Sequence, residues 1–478
     1  MSTKMGFRGW ALASAAVMML CGTASARLVN DPPTVTTVDP AAIVILPKVK
    51  VDTDICQRDG NDDTVGVCSV TRGTCTFTPG ATPQAMSAND ASCADAGIDT
   101  VIQLTNTSQF LTRVKCFYVN ANGHCSNSEA TICTQENFRE TCPAGGRCVD
   151  GWTEDDFVLT LTKRQPLSWT ANEGLSQLPL QNQPGQGNPP QFNDGTIPPV
   201  AENPFRGEMR CIQLDVSTEL PADRNDLKAE ATIITTGFGD AEAIDARKYN
   251  AYGIRAIEGA QDAVPEVLNI GGPQAEYLGC PNILTVDHFF DGALVSTHQN
   301  TVVGPVVSTL TVVPCGADFN LQDLNLETAV IQFLIFNEFE QRFSTSTRVT
   351  CFKQVLLSDI DTRPGEDGNE FSIFSAGVQG TLTGQSRLRT VAGPDVDGYD
   401  GNTIVAILDE SWADGECQDN VATDGEEGRK QQVAQLCFTD DDCDTGETCE
   451  EAGAHTNSTT VQVQGTRDQG VRMVVPIP

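Results

Sequence analysis

Apolar and polar residues alternate with a period of two along much of this chain, the spacing of a half-buried β-strand. Val101–Thr105 and Arg113–Val119 show it clearly, as do Phe157–Thr162, Arg210–Val216, Ala231–Thr236 and Ser308–Val313. Ala42–Val51 reads as a strand interrupted by Pro47, which predicts an edge or a bend because proline cannot donate to a ladder. Helical spacing is scarce: one short helix is predicted over Asp240–Tyr252 and a turn or two over Leu321–Ala329.

One pattern recurs. Val101–Leu104 leads through Asn106 to Val114, Cys116 and Phe117. Val330–Phe333 leads through Asn337 to Val349, Cys351 and Phe352, with the same Val-x-Cys-Phe end. A further strand is predicted after each, starting at Phe157 and at Phe371. The connection after Cys116 is longer by the segment Asn122–Trp152, so a disulfide knot is predicted inside a hairpin loop of the first unit.

The elements predict an all-β chain: two related β-sandwich domains flanking a middle β-rich domain, with disulfide-rich inserts. The boundaries read as a signal peptide over 1–26 and a first sandwich over 27–175 with Cys-rich inserts at 54–95 and 122–152. A Pro/Gln-rich linker follows at 176–204, then a middle domain at 205–300, a second sandwich at 301–412 and a Cys-rich acidic tail at 413–478.

The start of the chain carries Lys4 and Arg8, an apolar run from Trp10 to Leu20, and the small residues Ala24, Ser25 and Ala26. That is the order of a secretory signal, and the run is too short for a span of roughly 20 residues. Secretion or cell-surface display is therefore expected, with the periplasm as the other compartment and no transmembrane segment after cleavage.

Seventeen of the 18 cysteines follow that segment. They group as Cys56, Cys68, Cys75 and Cys93; Cys116, Cys125, Cys133, Cys142 and Cys148; Cys211 and Cys280; Cys315 and Cys351; and Cys417, Cys437, Cys443 and Cys449. With no Cys-x-x-Cys pair, disulfides are favoured over metal ligation. The odd total leaves one cysteine over, expected among the first nine.

Two tracts, Cys437/Cys443/Cys449 and Cys142/Cys148, place cysteines with five residues between them. In this they resemble the small Cys-rich modules of uncharacterised secreted bacterial β-sandwich proteins. The resemblance implies location and architecture and carries no catalytic residue.

A formal net charge of -34 argues against nucleic acid, which needs clustered Lys and Arg. No Gly-x-Ser-x-Gly or His-Glu-x-x-His motif occurs. His288, flanked by Asp287 and Asp291 with His298 beyond, is the one metal-hydrolase candidate; His124 and His455 complete the histidines. Asp395, Asp397, Asp400 and Asn402 put three carboxylates and an amide oxygen on one turn, a hard-oxygen set suited to calcium. A second acidic loop holds Asp359, Asp361, Asp367 and Glu370. Trp152, Trp169 and Trp412 are candidates to stack on sugar rings or to cap a core. Asn106-Thr-Ser108 and Asn457-Ser-Thr459 match a glycosylation acceptor.

The chain thus reads as a non-enzymatic structural or adhesion protein presenting loops to other surface proteins, glycans or copies of itself. A glycan- or calcium-binding module is the alternative, and a metal-dependent hydrolase near His288 the third reading. No catalytic residue is assigned, and calcium is the sole cofactor candidate.

Overall fold

The computed structural model describes residues 35–53, 97–133, 138–149, 153–175, 196–236, 243–260, 264–272, 274–296, 302–320, 328–364, 370–391, 403–413, 454–466 and 471–476, together with short strand backbones elsewhere. These residues are nearly all β, with only single helical turns such as Phe138–Thr141 and Ala376–Gln379. No helix among them is long and apolar enough to cross a membrane.

The principal strands of the N-terminal half are β1 (Ile43–Val51), β2 (Gly97–Asn106), β3 (Thr112–Asn120), β4 (Thr153–Leu161), β5 (Pro166–Thr170), β6 (Phe205–Leu214), β7 (Leu227–Thr236), β8 (Ala243–Asn250) and β9 (Tyr252–Ile254). Those of the C-terminal half are β10 (Pro281–Phe289), β11 (Val302–Pro314), β12 (Thr328–Asn337), β13 (Arg342–Thr350), β14 (Thr383–Val391), β15 (Ile404–Ala413), β16 (Ala454–Thr460) and β17 (Gln462–Thr466).

The N-terminal strands form a six-stranded sheet, in the order Val35–Thr36, β9, β1, β6, β3, β4, and a four-stranded sheet, β5-β2-β7-β8. Tyr118 and Phe157 of the first sheet meet Trp169 of the second, whose Nε1 donates to the Tyr118 hydroxyl at 2.6 Å. The C-terminal strands form a five-stranded sheet, β13-β12-β14-β10-β17, and a second sheet that runs Ala293–Ser296, β11, β15, β16, with Lys353–Leu356 on β11.

The segment 205–300 is not set apart as a middle domain. Its strands β6 to β9 belong to the N-terminal sheets, whereas β10 and Ala293–Ser296 belong to the C-terminal ones. The reason is burial: β6 is solvent-shielded along nearly its whole length, which only a place between β1 and β3 provides.

The helix expected over Asp240–Tyr252 is also replaced by a strand. β8 pairs with β7 from Glu230/Asn250 to Thr236/Ala243, and Tyr249 turns inward to donate its hydroxyl to the Lys48 carbonyl. Its other side chains alternate in exposure, so the sheet edge decided the period. Pro47 falls where the β1–β6 register slips: Leu46 opposes Met209 and Val49 opposes Gly207, leaving Pro47 and Lys48 opposite Glu208. This is a β-bulge, which tolerates the missing N–H and re-aims the neighbouring side chain.

The recurring pattern is shared in its turns and not in its pairing. β12 and β13 are hairpin partners, whereas β2 and β3 lie in different sheets and the chain crosses between layers. The further strand expected to start at Phe371 does not form: Glu370–Phe371 is a two-residue strand that ends there and leads to a helical turn. The knot does sit in a hairpin: β3 and β4 pair, with Phe157 opposite Cys116, and the chain between them forms a small sheet of Gly123–Cys125, Ser128–Cys133 and Cys148–Val149.

Four disulfides are described: Cys116–Cys211, Cys125–Cys142, Cys133–Cys148 and Cys280–Cys315. All five cysteines between 116 and 148 are therefore bridged. Of the first nine cysteines, among which the odd one is expected, these five are therefore not it, and the side chains of the other four lie outside the described residues; Cys351, buried, takes part in none of the four bridges. The side chains of Cys56, Cys68, Cys75, Cys93, Cys417, Cys437, Cys443 and Cys449 lie outside the described residues.

The two halves share one continuous core. At its seam the Arg210 guanidinium donates to the carbonyls of Pro314 (2.6 Å) and Cys315 (2.7 Å) and pairs with Glu208 at 2.7 Å. Phe117 stacks on Phe319 with centroids 4.5 Å apart. The Tyr252 hydroxyl lies 2.6 Å from the Val461 carbonyl and 2.7 Å from that of Ala406. Lys48 of β1 is ion-paired with Asp409 of β15. Ordered, paired polar groups of this kind fix one arrangement of the packed sheets, although Glu208 Oε2 is buried without a hydrogen-bond partner.

Candidate functional site

His288 sits on β10 with its ring turned into the core, 3% exposed. Its Nδ1–H donates to the Phe289 carbonyl at 3.0 Å, which leaves Nε2 to accept the Ser386 hydroxyl at 2.8 Å. The rings of Phe290 and Phe374 pack on it at 5.2 and 5.9 Å. Burial lowers its pKa to about 4, so the ring is neutral at physiological pH. A serine donating to an imidazole is the geometry of an activated nucleophile, yet Ser386 is 1% exposed and the pair is sealed under two phenylalanines.

The nearby carboxylates are equally occupied. Asp291 accepts the amides of Ser308 (2.7 Å) and Ser358 (2.9 Å), and Glu410 accepts that of Phe289 (2.7 Å). Burial raises the pKa of both, with Asp291 adding a like-charge contribution at Glu410. Both carboxyls are thus taken up in tying backbone segments together. Asp287 is exposed and accepts from Gln385 at 2.9 Å. His298 lies outside the described residues.

The other candidates separate in the same way. The loop of Asp395, Asp397, Asp400 and Asn402 lies outside the described residues, as do Asp367 and the side chains of Glu370, His455, Trp152 and Trp412. Asp359 and Asp361 sit on the 3-10 turn Leu357–Asp361. Trp169 caps the N-terminal core, 4% exposed. His124 Nε2 lies 2.9 Å from Glu202, whose other oxygen accepts from Asn120 and Asn122 at 2.6 Å each. The sulfurs of Cys125, Cys133 and Cys142 lie within 4.8 Å of one another, but each is engaged in a disulfide.

The exposed chemistry is at the turns. Asn106 ends β2 fully buried; its Oδ1 accepts the Ser108 amide and its Nδ2 donates to the carbonyls of Phe110 (2.7 Å) and Thr162 (2.9 Å). Asn337 ends β12 in the same way, its Oδ1 accepting the amides of Phe339 and Gln341 at 3.0 Å each. Each is an Asx turn built by a buried amide, and each holds a phenylalanine outward: Phe110 is 66% exposed and Phe339 65%.

Beside Phe110 the chain adds Leu111, Val216 and Leu220, all exposed. A shallow groove of about 220 Å³ is lined here by Leu111, Leu214, Asp215, Pro221 and Arg224. The Arg224 guanidinium covers the Phe110 ring at 5.5 Å. Hydrogen bonds from the hydroxyl and amide of Ser217 and from Thr218 hold the Asp215 carboxyl down at about 2, so the groove keeps a fixed negative charge. Sequence pattern missed this patch because its residues come from two distant connections, 107–111 and 215–224. The Asn at each strand end was the signal available.

No known family's sequence profile matches this chain, and no curated protein matches it in sequence.

Proposed function

We propose that this is a non-enzymatic structural or adhesion protein, exported to the cell surface or secreted, which presents strand-anchored loops to a partner surface. The observation that carries this reading is the pair of outward phenylalanines, Phe110 and Phe339, each fixed by a buried asparagine at a strand end. Aromatic side chains held rigidly in water lose little conformational freedom on contact and bury large apolar area, which is why they serve as anchors. The disulfides and the paired polar seam support the reading, since a scaffold outside the cytosol must keep its shape unaided.

The test is adhesion of the oxidised, fluorescently labelled full chain to cells of the producing organism and to a surface coated with the same chain. Phe110→Ser and Phe339→Ser are expected to lower retention together while leaving the melting temperature unchanged. Equal retention of wild type and the double variant on both surfaces would overturn the assignment of these tips.

A further inference from the structure

The pairing of Lys48 with Asp409 is unlike the surface ion pairs of this chain. Lys48 sits in the β1 bulge and is 3% exposed; Asp409 sits on β15 and is 2% exposed. They come from opposite halves, 361 positions apart, and meet where β1, β8 and β15 converge. Tyr249 of β8 closes over Lys48 by donating to its carbonyl. Ser458, directly across the ladder from Asp409, donates its hydroxyl to Asp409 Oδ1. Among the described residues, Asp409 Oδ2 faces the Lys48 amine.

A charged pair sealed in this way is costly, because desolvation of two ions offsets most of their attraction. Burial already drives the Lys48 pKa down, opposed by Asp409, with Arg247 adding to the fall. Proton transfer across the pair leaves a neutral amine beside a neutral carboxyl, the reactive forms for condensation. A desolvated lysine is a good nucleophile, and holding it against its target removes the entropic cost of encounter.

We propose that Lys48 and Asp409 are joined by an intramolecular amide, an isopeptide cross-link between β1 and β15. The Lys48 Nζ lone pair attacks Asp409 Cγ, forming the C–N bond. Charge gathers on Oδ1, where the Ser458 hydroxyl donates. The Cγ–Oδ2 bond then breaks, and Oδ2 leaves as water, taking the carboxyl proton and one proton from the amine. No electron is gained or lost and no co-reactant is needed. The product is uncharged, keeps its carbonyl on Ser458 and is shielded from hydrolysis by the same burial. The link stands independently of the display reading, since it concerns the seam and not the tips.

The experiment is intact mass of the full chain, reduced and alkylated under denaturing conditions, followed by tryptic mapping. The expected mass is one water below that calculated for the alkylated sequence, with a branched peptide joining the segments of Lys48 and Asp409 and no cleavage after Lys48. Lys48→Arg and Asp409→Ala are each expected to restore the full mass. A wild-type chain of full mass, quantitative cleavage after Lys48, a water loss mapped to other residues, or a Lys48→Arg chain that keeps the loss would each overturn the proposal. The wild-type measurement decides the matter even where a variant fails to fold.

Discussion

Arg210 on β6 donates from Nη1 to the carbonyl of Cys315 at 2.7 Å, so a guanidinium of one half of the chain closes the backbone of the other. Arg210 and its partner Glu208 are both fully buried. Burial pushes the Glu208 carboxyl up to about 7, with Arg210 opposing the shift.

Removing only one member of this pair should therefore be severe. Arg210→Met strands a buried carboxylate and two carbonyls, for an expected loss of about 3–5 kcal/mol in denaturant unfolding. Glu208→Leu combined with Arg210→Met should recover part of that loss. A double variant no better than Arg210→Met would show that the carbonyl contacts, and not the buried charge, dominate.

His288 sets an acid limit. Its folded pKa is depressed to about 4 from an ordinary value of 6.5, so the stability it confers is full above 6.5 and is lost as pH falls through 4. The lost contribution is on the order of 3 kcal/mol. Replacing it, as in His288→Gln, should flatten the fall in melting temperature between those two pH values relative to wild type. Parallel profiles for the two proteins would rule the ring out as the titrating group.

Cys116 and Cys211 join adjacent strands, β3 and β6, across 95 positions of sequence. Loop-closure arguments give such a bridge about 4.7 kcal/mol, and the 15-position Cys133–Cys148 bridge about 3 kcal/mol. Paired alanine substitutions should rank in that order in unfolding midpoint. The Cys133/Cys148 pair should in addition perturb only the insert, as read by hydrogen exchange.

The two acceptor-pattern asparagines should behave differently. Asn106 is fully buried with both amide donors used, whereas Asn457 is exposed on β16. Expressed in a host that modifies such sites, folded protein should carry glycan at Asn457 and none at Asn106, as peptide mapping would read. Asn106→Ala should cost about 1–3 kcal/mol, because it orphans buried carbonyls and opens the turn.

Much of the secondary structure was legible because a strand's period of two is local. Val101–Thr105 and Arg113–Val119 fall inside β2 and β3, and Phe157–Thr162 overruns the end of β4 by one residue. The error at 240–252 has a local cause too. Ala, Asp, Arg and Lys leave the period ambiguous, and the free edge of β7 settled it. Phe110, Leu111, Val216 and Leu220 were illegible as a patch, since nothing in a strand's alternation says which turns share an end of a sheet.

The order of residues by itself determined that this chain is nearly all β, where many of its strands run, and that asparagines end two of them. Only the tertiary structure decided that β2 and β3 part into different layers while β12 and β13 stay paired, that Cys116 finds Cys211, and that Lys48 meets Asp409. The reason is range: alternation records which face of a strand is dry. The partner of a strand or a charge is selected by the burial of surfaces that hundreds of intervening residues bring together.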